Sequence, residues 1–318
     1  APDADDCARA RPLAGRGFWP VARIGLRNAA ARPGRSVLAI GVIASASFIL
    51  ISVSAFRRDA PSTTDPHSGV GGYALIVETL LPVARHPDLA EGRESLGLSN
   101  TAEMKIEPFR LLPGDDASCL NLYEPTRPRI LGASRRFTES GRFAFAGSLA
   151  STDAERGNPW LLLDRDVGVD VVPVVADLNS MTYVLHRKIG EDFAMEVGGR
   201  LVRLRFVAAL DDSIFQSELV MSDANFLKLF PDQEGYRFML VEAPSALAAQ
   251  AAEALEQGSG SDIGADAVST SARLAEFHRV ENTYLSTFQM LGGVGLLVGT
   301  IGLAAVLLRN VLERRREL

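Results

Sequence analysis

The densest run of residues that could do chemistry is Gly114-Asp115-Asp116-Ala117-Ser118-Cys119. Adjacent carboxylates can bind Ca²⁺ or move protons. Here neighbours at i and i+1 diverge and no third ligand is spaced to join them, so a turn with a capping Asp is the better reading. The four histidines, His67, His86, His186 and His278, lie far apart, with no H-x-x-x-H or H-x-H spacing, and give metal chemistry no support. The three lysines, Lys105, Lys188 and Lys228, never follow a Gly. The chain has no G-x-x-x-x-G-K-[ST] loop with which to cradle ATP, and no G-x-S-x-G nucleophile elbow. We therefore expect no catalytic residue, no metal and no cofactor, and a non-catalytic protein.

The informative residues are instead apolar runs and the charges that flank them. Ser36 to Phe56 has no charged residue over 21 positions, and Asn282 to Leu308 has none over 27. A 21-residue helix is about 32 Å long, against a hydrocarbon core of about 30 Å. Both segments, 36–56 and 282–308, are predicted to be transmembrane helices. Arg9, Arg11, Arg16, Arg23, Arg27, Arg32 and Arg35 precede the first, and Arg309, Arg314, Arg315 and Arg316 follow the second. The positive-inside rule makes both basic ends cytoplasmic and puts residues 57–281 outside; Arg57 and Arg58 run against the rule but are outnumbered. A cleaved signal peptide fits poorly, because the apolar stretch is long and starts late. The chain begins at Ala1, not Met, and we expect a fragment of a longer protein, with sequence missing at both ends.

Composition agrees. The 318 residues carry a net charge of −6, divided into +4 over residues 1–35, −12 over 36–308 and +2 over 309–318. With 47% hydrophobic and 23% charged residues the chain is neither disordered nor mostly buried in lipid. An acidic pI near 5.4 argues against nucleic acid as a partner. Two cysteines exclude a disulfide scaffold, and Cys7 and Cys119 would lie on opposite sides of the membrane. Cys119 reads as a small buried apolar residue.

Residues 1–17 read as a linker. Phe18–Ala31 is weakly amphipathic, with Arg16, Arg23 and Arg27 opposite an apolar face, which suits a helix lying in the membrane interface before Pro33-Gly34. The outer block reads as an α+β domain. Strands are expected at Tyr73–Glu78, Met104–Leu112, Leu201–Val207, Leu219–Met221 and Phe238–Val241. Leu161–Leu163 and Val169–Val175 are short apolar runs, the second broken by Pro173, which suggests an edge strand or a bulge. Helices are expected at Asn179–Lys188, capped by Asn179 or Ser180, at Ser222–Phe230, at Pro244–Gln257, and at Ser271–Asn282, running into the second span.

Small residues in the spans suit close helix contact in lipid: Gly41 and Ser45 in the first, Gly292, Gly295, Gly299 and Gly302 in the second. Neither span holds an ionisable residue, so no ion path or proton relay is visible.

The basic amphipathic lead-in, the span, the outer α+β domain and the Gly-rich span ending in a charged helix resemble the FtsX/MacB-type permeases of ABC transporters. The most specific stretch is Leu291–Leu318. Arg27-Asn28 and Pro33–Ser36 resemble the family's approach to a span. His186–Asp192 resembles its turn before a strand, and Phe206–Asp212 and Leu219–Phe230 the strand and helix that follow. The resemblance implies a MacB-like outer domain, with a possible inserted lobe at about 113–200. It implies a permease subunit in the bacterial inner membrane, with Arg309, Asn310, Glu313, Arg314, Arg315, Arg316 and Glu317 docking a partner ABC ATPase. A second permease copy and membrane lipid are the other implied partners. The implied action is mechanotransmission for export or extraction of a lipophilic or protein cargo. Activation of an outer hydrolase without transport is the alternative, and an anchored hydrolase the weakest third. The family has four core spans, whereas two are present here.

Overall fold

The computed structural model describes residues 33–55, 64–98, 104–115, 125–216, 218–257 and 262–313. The chain divides into two compact units, one of residues 1–58 with 281–318 and one of residues 59–280.

The first unit holds helix α1 (Pro33–Ala55) and all but the first turns of the last helix, α7 (Thr270–Glu313). The two run antiparallel. A β-carbon built on Gly292 would lie 3.5 Å from the Leu50 side chain, and one on Gly299 3.5 Å from Val42. Gln289 Nε2 donates to Ser54 Oγ at 3.2 Å. Within α7, the 24 residues Asn282–Ala305 are long and apolar enough to cross a membrane. Among the described residues of α1, Ile40–Ala55 is a shorter apolar helix.

The second unit is built on one ten-stranded mixed sheet in the order β10-β1-β9-β2-β3-β8-β5-β7-β4, with β6 also on β7. The strands are β1 (Leu75–Val83), β2 (Lys105–Leu112), β3 (Arg129–Ala133), β4 (Phe145–Ser148), β5 (Val171–Asp177), β6 (Asp192–Val197), β7 (Arg200–Leu210), β8 (Glu218–Ser222), β9 (Tyr236–Glu242) and β10 (Ala265–Ser269). Short helices α2 (Ala90–Ser95), α3 (Arg135–Glu139), α4 (Asp153–Gly157) and α5 (Asp223–Leu229), and the longer α6 (Ser245–Gln257), connect them.

Successive side chains in a strand point to opposite faces, and here both faces are covered. Phe238 and Leu240 of β9, Phe109 and Leu111 of β2, Leu131 of β3 and Val220 of β8 enter one continuous core with Phe137, Trp160, Phe215, Leu274 and Phe277. On the opposite face the apolar residues form two separate cores. Val77, Ile106, Met239 and Val241 pack under α6. Ile130, Val174, Leu204, Phe206, Leu219 and Met221 pack with Met181, Phe226 and Phe230. Strands from residues 113–200 join the same sheet as the flanking parts: β3 pairs β2 and β8, and β5 pairs β7 and β8. The division is thus between the cores of one face.

Of the two readings of Pro173 the bulge is found: it falls between Val174 and Val175, in a strand that lies between β7 and β8 rather than at an edge. Leu161–Leu163 belongs to a 3₁₀ turn, Pro159–Asp164, where Asn158 Oδ1 accepts from the Trp160 N–H and Pro159 cannot join a ladder. Asn179–Lys188 contains only a π turn, Ser180–Val184, without a side-chain cap at Asn179. His186 follows at φ 51°, a left-handed conformation that ends helical winding.

Candidate functional site

The incoming segment, the outgoing helix and the loop after β7 meet at one end of the sheet. The incoming segment reads Ser68-Gly69-Val70-Gly71-Gly72-Tyr73. Its glycines are required by close approach. A β-carbon on Gly69 would lie 1.9 Å from the Asp212 carbonyl oxygen, and one on Gly71, which has φ +62°, 2.4 Å from the Phe143 ring. The segment is closed by Ser68 N–H and Oγ bonds to the Asp65 carbonyl, at 3.2 and 2.7 Å. Tyr73 is buried, and Arg142 lies 4.7 Å over its ring while bonding Gly71 O and Glu242. Burial raises the Tyr73 phenol far above its ordinary value, and the nearby Arg142 charge only partly offsets this.

The outgoing helix starts beside it. Thr270, fully buried, donates from Oγ1 to Tyr73 O at 2.6 Å and from its N–H to Ala74 O at 3.1 Å. Leu274, Phe277 and His278, at i, i+3 and i+4, form the buried stripe of the first turns. Each buried Leu or Phe contributes about 1.5–3 kcal/mol.

The loop 211–216 lies between them. Asp212 has φ 51°, a left-handed conformation that Asp tolerates better than most residues. Its Oδ1 is 2.6 Å from His278 Nε2 and 3.4 Å from Gln216 Nε2. The Ile214 N–H donates to Gly69 O at 2.9 Å. Phe215 anchors the loop in the aromatic core, with ring centroids 5.1 Å from Phe143 and 6.0 Å from Phe109. Ser213 donates from N–H and Oγ to Asp177 Oδ2, at 2.7 and 3.0 Å, and Asn179 N–H donates to Asp177 Oδ1 at 2.9 Å. The Ser180 hydroxyl donates to Gln216 O. Asp177 ends β5 fully buried; burial pushes its carboxyl up to about 6, against the pull of the three donors.

This arrangement joins elements rather than presenting a reactive group. The Ser213 hydroxyl is buried and committed to a carboxylate, and His278 is held by the adjacent Asp212. Among the described residues no cluster of three His, Cys, Asp or Glu could hold a metal.

The residues singled out from sequence fall elsewhere. Gly292 and Gly299 face α1, whereas a β-carbon on Gly41, Gly295 or Gly302 would meet nothing within 4 Å. Ser45 is exposed on α1. Arg309, Asn310 and Glu313 lie in the last turns of α7; Arg314, Arg315, Arg316 and Glu317 lie outside the described residues. Asp115 makes an isolated bridge with Pro128, its Oδ2 accepting from Arg127 N–H at 3.3 Å, while Asp116, Ser118 and Cys119 are outside the described residues. Sequence reasoning missed Asp177, Asp212 and Ser213, and considered His278 only as a metal ligand. The available signal was a histidine on the apolar stripe of a helix, a position that demands a buried partner.

No protein-family model matches the chain, and no curated protein sequence matches it. Among solved structures, the chain is similar to the periplasmic region of MacB from Actinobacillus actinomycetemcomitans. The identity is 12%, over 67% of this chain and 95% of that one, with a TM-score of 0.34. It is also similar to the extracellular domain of the noncanonic ABC-type transporter YknZ from Gram-positive bacteria. There the identity is 14%, over 61% of this chain and 98% of that one, with a TM-score of 0.31.

Proposed function

We propose that the chain is a permease subunit, or part of one, of an FtsX/MacB-like ABC system in the bacterial inner membrane. It couples ATP hydrolysis by a partner ATPase to motion of an extracytoplasmic domain, for export or extraction of a lipophilic or protein cargo. The observation that carries this reading is helix α7. Its first turns bury Thr270, Leu274, Phe277 and His278 in the sheet domain, and its residues Asn282–Ala305 are long and apolar enough to cross a bilayer. One element therefore contributes both to the domain core and to the span.

The basic ends supply the cytoplasmic side of the argument. No P-loop lies in this sequence, so we assign ATP hydrolysis to a partner ABC ATPase. The Arg-rich end, from Arg309 to Glu317, is the surface we assign to it, as charge complementarity favours association and orients the partner. A second permease copy and bilayer lipid complete the assembly, the helices packing through small residues.

The test is co-purification of the full chain with candidate P-loop ABC ATPases from the same genome. The complex is expected to form and to weaken at least tenfold when Arg314, Arg315 and Arg316 are changed together to Glu. Absence of a complex with the unaltered chain contradicts the reading. Unchanged binding of the triple variant removes the docking role of those arginines.

A further inference from the structure

The loop Asp211–Gln216 is bonded on both sides to elements that otherwise belong to different parts of the domain. On one side His278, on the buried stripe of α7, reaches Asp212 Oδ1 at 2.6 Å. On the other, Ser213 donates twice to Asp177 at the end of β5, and Asp177 in turn takes the Asn179 N–H. The loop follows directly from β7, whose Leu210 pairs with Asp177 in the parallel ladder. Two further features make this loop a place where two arrangements can exist. Asp212 is held at φ 51°, a region that a non-glycine residue occupies only when its surroundings enforce it. Its carbonyl oxygen is packed against Gly69 so closely that no side chain fits there. The enforcing contacts come from His278, from Gln216 and from the incoming segment.

We propose that Asp211–Gln216 is a catch through which a displacement of residues 270–280 of α7 reaches β5 and β7. In the state described here His278 holds Asp212 in its left-handed conformation. That conformation points the next residue, Ser213, at Asp177. When the first turns of α7 shift, the Asp212 carboxylate loses its His278 bond and the backbone at 212 relaxes. The two Ser213 bonds to Asp177 then break together, since both depend on the placement of one residue. The end of β5 and the turn that begins at Asn179 are thereby released. Discrete contacts of this kind switch rather than deform, because packed interiors are not continuously compressible. The inference takes its purpose from the permease reading, but the catch itself is a property of the sheet domain.

The experiment is amide hydrogen exchange on the full chain in lipid nanodiscs, comparing the unaltered protein with His278→Ala and His278→Gln. Gln presents an N–H at nearly the reach of the imidazole Nε2. In His278→Ala the amides of Ser213, Ile214 and Phe215 are expected to exchange at least tenfold faster. Asn179 should accelerate with them, as its amide donates to Asp177 and not to α7. Phe109 and Leu240, in the central strands, should be unchanged. His278→Gln should stay within about threefold of the unaltered protein. No acceleration in His278→Ala overturns the catch, as does acceleration that spreads equally through β2 and β9 or leaves Asn179 untouched. A His278→Gln protein that exchanges as fast as His278→Ala overturns the hydrogen bond as its tie. ATPase binding is not part of this readout, so failure of the catch and failure of the permease reading are separate outcomes.

Discussion

Gly69 approaches Asp212 so closely that a β-carbon on it would sit 1.9 Å from the Asp212 carbonyl oxygen. Backbone therefore packs on backbone where the incoming segment meets the loop after β7, and neither side can yield through a flexible side chain. Gly69→Ala must push one of them away and strain the Ile214–Gly69 hydrogen bond at 2.9 Å. Overpacking of this kind costs about 1–3 kcal/mol. Urea unfolding of the purified chain should show a lower midpoint. Gly198→Ala, at a hairpin where nothing lies within 4 Å, has no contact to lose and pays only for its φ of +57°.

Asp177 gives the domain a pH dependence of opposite sign to most carboxylates. Its folded pKa, raised by burial to about 6, exceeds the ordinary 3.8. The folded state thus binds the extra proton between those values, and stability falls as pH rises from about 4 to about 6. The size is of order 3 kcal/mol. Asp177→Asn should remove that part of the slope. Unfolding free energies of the two proteins at pH 4, 5, 6 and 7 test this; parallel curves would contradict it.

Asp88 works the other way. Burial alone would raise it, but hydrogen bonds from Arg136, the Ile106 N–H and Arg93 outweigh that and hold it at about 2. Its stabilisation is present above pH 4 and is lost as pH falls from about 4 to about 2. Arg136→Ala should destabilise the domain at pH 7, and the gap to the unaltered protein should narrow on acidification through that window. A gap independent of pH would show that Arg136 acts through its bond to the Ile106 carbonyl and not through its carboxylate partners.

In the helical unit, Gly292 and Gly295 are distinguishable. A β-carbon on Gly292 would touch Leu50 at 3.5 Å and one on Gly295 meets nothing within 4 Å. Ala therefore fits at 292, whereas Ile does not. Gly292→Ile should lower the melting temperature of the detergent-solubilised chain and Gly295→Ile should leave it unchanged or raise it. Equal losses would mean that both glycines face a neighbouring helix.

Much of the sheet was legible in the sequence because its signal is local. Leu201–Val207 alternates, and the alternation places Val202, Leu204 and Phe206 in the core. The helix over Ser271–Asn282 running on into the second apolar stretch was equally readable, and α7 has that continuity. What could not be read was pairing. The parallel ladder of β3 with β8 joins Arg129 to Glu218 across 89 positions, and nothing near either strand encodes it. Pro173 signalled an edge strand or a bulge, because Pro cannot donate to a ladder, and the structure has the bulge beside it, in an interior strand. The site was hidden for the same reason. Asp177, Asp212 and His278 are each unremarkable in their own windows, and become a unit only when β5, β7 and α7 converge. Which small residues face a neighbour was not legible either: the heptad pair Gly292 and Gly299 lies against α1, and Gly295 and Gly302 do not.

In the proposed permease, ATP binding by a partner subunit would move the first turns of α7 relative to the sheet. It is tested by amide exchange at residues 211–216 and 270–278 in the full chain, reconstituted in nanodiscs with the ABC ATPase that co-purifies with it. Exchange is measured without nucleotide and with a non-hydrolysable ATP analogue. The account predicts that the analogue changes exchange at Ser213, Ile214 and Phe215 severalfold and leaves Phe109 and Leu240 unaffected. Identical exchange in the two states, with the complex intact, would contradict it.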